Sequence, residues 1–106
     1  MSGSDQIFER VLLNSIEEGL GKVFDQTTAK AVQFYVDGMI AVMDPDAYAR
    51  SLQKMFGDGA KVLITNMMES LSKVAGIENR EWSSFSECVR TAREGYHRKV
   101  PSTGAK

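Results

Sequence analysis

Apolar residues recur along this chain at steps of three and four, and no stretch of four to eight residues sustains the two-residue alternation of a strand between turn signals. The pattern predicts an all-α domain of four to five helices. In the first, Phe8, Val11, Leu12, Ile16, Leu20 and Val23 form one stripe behind a cap at Ser4 or Asp5, and Gly19 and Gly21 weaken its end. A second helix is predicted from the cap Asp25 through Met43. Ala29, Val32, Val36, Met39, Ile40 and Met43 share its apolar face, which Phe34, Tyr35 and Val42 widen. Its polar residues fall on a narrow line, Gln26, Lys30, Gln33 and Asp37, so this helix is expected at the centre of the fold, contacted around most of its circumference.

Start and stop signals divide the remainder. Asp44 can accept from free backbone amides while Pro45, at the first helical position, gives up no bond, so Asp44-Pro45-Asp46 opens a third helix. That helix carries Tyr48, Leu52, Met55 and Phe56 inward and stops at Gly57. Asp58 is expected to cap a fourth, which buries Ala60, Leu63, Ile64, Met67, Leu71 and Val74 and ends near Gly76. Residues 77–83 form a polar connector whose Trp82 packs over the bundle. Ser84-Phe85-Ser86-Glu87 matches a capping box and opens a fifth helix, with Phe85, Cys88, Val89, Ala92 and Tyr96 on its apolar stripe. This gives one helical domain over residues 1–100, its core within about 5–97, followed by a flexible tail at 101–106.

The run Phe56-Gly57-Asp58-Gly59-Ala60-Lys61-Val62-Leu63, preceded by Asp44-Pro45-Asp46-Ala47-Tyr48 and Leu52, resembles the signature of the Nitrosopumilus output domain family. Leu20-Gly21, Ala29-Lys30-Ala31 and Phe34-Tyr35 are similar to that family's first half, so the resemblance covers roughly residues 7–76. It implies a small archaeal helical module, alone or attached to a signalling protein, with an output or interaction role. It supplies no catalytic residue, and the fifth helix lies outside it.

Composition changes this picture little. With 42% hydrophobic and 25% charged residues, the 106-residue chain has the make-up of one globular domain. The longest apolar stretches, such as Met39 to Met43, fall far short of a membrane span, and the opening residues show neither a cationic start nor an apolar run. A single cysteine, Cys88, excludes an intrachain disulfide, and a reducing cytoplasm is the expected setting. Charge is uneven: residues 1–81 hold 8 Lys/Arg against 12 Asp/Glu, and 82–106 hold 5 against 2. The C-terminal end is therefore where an anionic partner would be sought.

Catalytic readings meet chemical obstacles. Gly19-Leu20-Gly21-Lys22 lacks the hydroxyl residue after lysine and the preceding strand that a phosphate loop needs, and at Gly57-Asp58-Gly59 the carboxylate would repel phosphate. Asp25, Asp44, Asp46 and Asp58 stand where helices begin and are explained by capping and the helix dipole. The lone imidazole, His97, has no spaced ligand cluster around it, and Cys88 lies on an apolar stripe, where a thiol stays inert. No enzyme activity, metal or cofactor is expected; an enzyme whose site leaves no motif is the weakest alternative.

Two surfaces carry partner hypotheses. Met39, Met43, Met55, Met67 and Met68 are flexible thioethers on helices, and together they could line a groove for a partner helix or a second copy, against the simpler reading as core filling. Arg90, Arg93 and His97, three and four residues apart, followed by Arg98 and Lys99, make a cationic edge able to contact phosphates, although cations at a helix C-terminus also suit its dipole. The leading expectation is a non-enzymatic interaction module that binds a protein or itself. An auxiliary nucleic-acid-binding or regulatory domain using the basic last helix is the alternative, and no membrane partner is expected.

Overall fold

A computed structural model describes the backbone of residues 3–99 and the side chains of residues 6–97. The helices among them are α1 (Gly3–Gly21), α2 (Gln26–Tyr35), α3 (Met39–Met43), α4 (Pro45–Phe56), α5 (Gly59–Ala75) and α6 (Phe85–Lys99), and the described residues contain no strand. The all-α expectation holds. The tail expected at 101–106 lies outside the described residues.

Helices α1 and α5 form the main packing pair, with α6 laid against α5. From α1 come Phe8, Leu12, Ile16 and Leu20, and from α5 Leu63, Met67 and Leu71, every one of them buried. The expectation that the second helix is central is therefore corrected: α1 and α5 hold that place. Ser4 and Asp5 fall inside the first turn of α1, which begins at Gly3, so neither stands before the helix as its cap. Gly19 also lies inside α1 and is buried, because a Cβ there would sit 2.8 Å from the backbone nitrogen and 3.0 Å from the Cα of Met67. This glycine lets two helix backbones approach, whereas the sequence read it only as a weak helix end.

The segment read as one helix from Asp25 to Met43 is two. Asp25 caps α2 as expected, its carboxylate accepting from the Thr28 N–H at 2.7 Å. The helix then stops where Val36 turns extended (φ −126°, ψ 94°), and Val36 is buried. Asp37 restarts the chain by accepting from the Met39 N–H at 2.9 Å, an Asx turn that competes with helix continuation. Gly38 fits close to α1, where a Cβ would meet Leu13 Cδ2 at 2.9 Å. With the break, α3 can bury Ala41 on α1 at an angle that a straight helix would not reach.

Further along, local signals mostly act as written. Asp44 accepts from the Ala47 N–H at 3.2 Å, Pro45 follows, and α4 ends at Gly57, whose φ of +60° is open to glycine at little cost. Tyr48 and Leu52 are buried and Phe56 half-buried, but Met55 faces outward. Asp58 makes no side-chain cap bond, contrary to expectation; its backbone is already helical, and α5 begins instead on the carbonyls of Gly57 and Asp58, which accept from Ala60 and Lys61 at 3.1 and 3.2 Å. Val74, expected inside, is exposed. Gly76 closes α5 in the left-handed region, with the Ile77 N–H donating back to the Ser72 carbonyl at 3.0 Å.

The capping box at α6 is displaced by one residue on one side. Ser84 Oγ accepts from the Glu87 N–H at 3.0 Å as expected, but the Glu87 carboxylate accepts from the Ser83 N–H at 2.8 Å and the Ser83 hydroxyl at 2.7 Å. Those two bonds, with Arg80 at 3.7 Å, hold the Glu87 carboxyl below its ordinary range. Asp46 accepts from the Ser86 N–H at 3.1 Å and so ties the start of α6 to the start of α4. That tie fixes the walls of the cleft described next.

Candidate interaction face

Between α3, the start of α4 and one side of α6 lies an open cleft of about 340 Å³. Val42, Met43, Pro45 and Val89 give it an apolar floor, and Arg90, Arg93 and Glu94 stand along its α6 side with Ser86 at the end. The two arginines are three residues apart on one helix, which places them on neighbouring turns of the same face. Arg90 is exposed and Arg93 half-buried. Lys22 pairs with Glu69 and Arg80 with Glu87, each at 3.7 Å, but neither cleft arginine makes an ion pair among the described residues.

Arg93 is not simply a surface cation. Its guanidinium carbon lies 5.1 Å from the centre of the Phe8 ring, and its Nε is buried with no hydrogen-bond partner among the described residues. The guanidinium is therefore engaged over Phe8 at the edge of the core, while the side chain also borders the cleft. His97 packs against the same ring, with centroids 6.5 Å apart. The cationic edge expected at Arg90, Arg93, His97, Arg98 and Lys99 is thus not a single solvated strip in its described part. Two of its members turn toward Phe8 because α6 packs across the N-terminal half of α1, and the side chains of Arg98 and Lys99 lie outside the described residues.

The five methionines are not brought into one groove either. Met67 is fully buried beside Gly19, Met68 is half-buried against the core, and Met55 is on α4. Only Met39 and Met43 share an exposed face, four residues apart on α3, at 43% and 82% exposure. Beside them in sequence, Phe34 and Tyr35 are 84% and 73% exposed, their rings packed edge to face at 5.6 Å. Sequence reasoning counted these aromatics as core. The angular arithmetic carried the warning: Phe34 is two residues past the buried Val32, about 200° around the helix from it.

Elsewhere the chemistry is quiet. A second cleft, of about 360 Å³, runs along the Gly57–Asp58 turn between α4 and α5, lined by Ala49, Gln53, Ala60, Lys61 and Ile64. Both of its charged residues are exposed, and neither Asp58 nor Lys61 reaches a second polar group that would make a site. Cys88 is fully buried, 4.0 Å from Ser72 Oγ, and burial pushes its thiol up to about 11. Such a thiol is a poor nucleophile at neutral pH. No group of three or more His, Cys, Asp or Glu among the described residues could hold a metal ion, and no helix among them is long and apolar enough to cross a membrane. Compared with protein-family models, curated proteins and solved structures, the chain matches none.

Proposed function

We propose that this chain is a non-enzymatic interaction module that presents the end of α2, the outer face of α3 and the α3–α6 cleft to a protein partner. The observation that carries this reading is the concentration of exposed large apolar side chains, Phe34, Tyr35, Met39 and Met43, within ten residues. Other apolar residues are exposed too, Ile7, Val23, Met55, Val62 and Val74 among them, but they are scattered along the chain, and the two most exposed, Phe34 and Met43, both lie in this stretch. Covering them on binding is favoured by about 25 cal/mol for each Å² removed from water, and exposed aromatic and methionine side chains are the types enriched at the centres of interfaces. The resemblance to small output domains agrees with such a role.

The test is a photo-crosslinking residue placed at Met43 and, as a control, at Lys73, which is exposed on α5 away from this face. Position 43 is expected to trap discrete protein adducts, including a dimer if the partner is a second copy, and position 73 none. Equal trapping at both positions, or adducts at position 43 that nuclease removes, would overturn the reading. The latter result would favour the nucleic-acid alternative.

A further inference from the structure

The cleft itself is more selective than the face around it. Its floor offers Val42, Met43, Pro45 and Val89, which reward an apolar side chain. Its α6 side carries Arg90 and Arg93 beside Glu94; Glu87, held by Ser83 and Arg80, also lies within electrostatic reach of Arg90, and neither cleft arginine makes an ion pair among the described residues. Residues 1–81 are by contrast acidic in balance, so this cationic wall interrupts a mainly negative chain. An occupant complementary to both features brings an apolar group flanked by carboxylates. Nucleic acid would satisfy the arginines but leave the floor unused, since no aromatic ring lines the cleft for base stacking. A volume of about 340 Å³ accommodates side chains projecting from one segment, at the lower end of the range for small binding pockets, ~300–1,000 Å³.

We infer that the α3–α6 cleft takes an acidic amphipathic peptide segment, its apolar side chain seated between Met43 and Val89 and its carboxylates on Arg90 and Arg93. This rests on the interaction-module reading and narrows its partner. An amphipathic helix meets the geometry because carboxylates one turn apart match arginines one turn apart.

The experiment measures fluorescence anisotropy of labelled synthetic helical peptides with the full chain. One peptide pairs leucine with glutamate at helical spacing, a second replaces glutamate with lysine, and a third replaces leucine with serine; a labelled single-stranded oligonucleotide completes the set. The Glu/Leu peptide should bind in a salt-sensitive manner and the other two peptides much more weakly. Arg90→Glu should weaken Glu/Leu binding by about tenfold and restore binding of the Lys/Leu peptide. Met43→Glu should weaken the Glu/Leu peptide too. Both positions are exposed, so circular dichroism should show unaltered folding.

No binding of the Glu/Leu peptide, or binding indifferent to Arg90→Glu, overturns the inference. Arg90-dependent binding of the oligonucleotide without the peptide assigns the cleft to nucleic acid and overturns it as well. Protein adducts at position 43 together with failure of the peptide would leave the interaction module standing with a different occupant, so the two failures are separable.

Discussion

Two glycines near the end of α1 give the most direct test of the packing. At Gly19 an added methyl would meet the Met67 side chain at 2.6 Å and the Met67 backbone at 2.8 and 3.0 Å, whereas at Gly21 nothing lies within 4 Å. Comfortable carbon contacts are about 3.5–4.0 Å. Gly19→Ala therefore forces α1 and α5 apart by roughly 0.5–1 Å at their crossing, because the obstacle is backbone and cannot rotate away. Overpacking of this kind costs about 1–3 kcal/mol, offset by the ~1 kcal/mol that alanine gains over glycine inside a helix. The net loss is on the order of 0–2 kcal/mol, and relative to an alanine that meets no obstacle it is the full ~1–3 kcal/mol.

Gly21→Ala receives the propensity gain without the clash and should be neutral or stabilising by up to about 1 kcal/mol. Urea titrations of the two variants, followed by far-ultraviolet circular dichroism, should show the midpoint of Gly19→Ala below that of Gly21→Ala, the latter rising or unchanged, with the slope unaltered in both. Thermal midpoints should separate by on the order of 10 °C, taking ~4–8 °C per kcal/mol for a domain of this size. Gly19→Ala as stable as Gly21→Ala would refute close approach of α1 and α5, and with it the central pairing of the fold.

Other consequences are simpler. Leu63→Asn places an amide in the core, where Leu63 is 2% exposed, and should cost about 3 kcal/mol or more in denaturant titration. Asp44→Ala removes a working cap and should cost about 1 kcal/mol, while Asp58→Ala, which removes no cap bond, should change the midpoint little. The Cys88 thiol is raised in the folded chain, so its contribution is present below the ordinary thiol value near 9 and is lost as pH rises to about 11. Stability of the parent should therefore fall more steeply across that interval than stability of Cys88→Ser, measured by denaturant titrations at a series of pH values.

What the sequence disclosed was what depends on neighbours close in the chain. Helical periodicity, the caps at Asp25 and Asp44, the glycine stops at Gly57 and Gly76 and half of the Ser84–Glu87 box are all set within a turn or two. Properties decided by other elements were hidden. The role of Gly19 depends on Met67 lying opposite, and the fate of the basic edge depends on Phe8 lying under Arg93 and His97. Nor does spacing distinguish Met67, locked in the core, from Met43, exposed on α3. The cleft joins residues 42–45 to residues 86–94, so no local motif could announce it.

The break after α2 is where fold and proposed function meet. Continued without interruption, the 26–43 segment would span about 27 Å as one helix. Such a helix could turn only one face toward the core. Val36 and Ala41 are both buried while Phe34, Tyr35 and Met43 are exposed. The extended Val36 and the Asp37 turn re-aim the chain so that Ala41 reaches α1 and Met43 arrives beside α6. Asx-turn competition at Asp37 and the low helix propensity of Gly38 both oppose a straight helix here. The exposed apolar face is thus a consequence of where the helix must bend, and the cleft exists because α3 is short enough to end at Asp44, where Pro45 and Asp46 turn the chain toward α6.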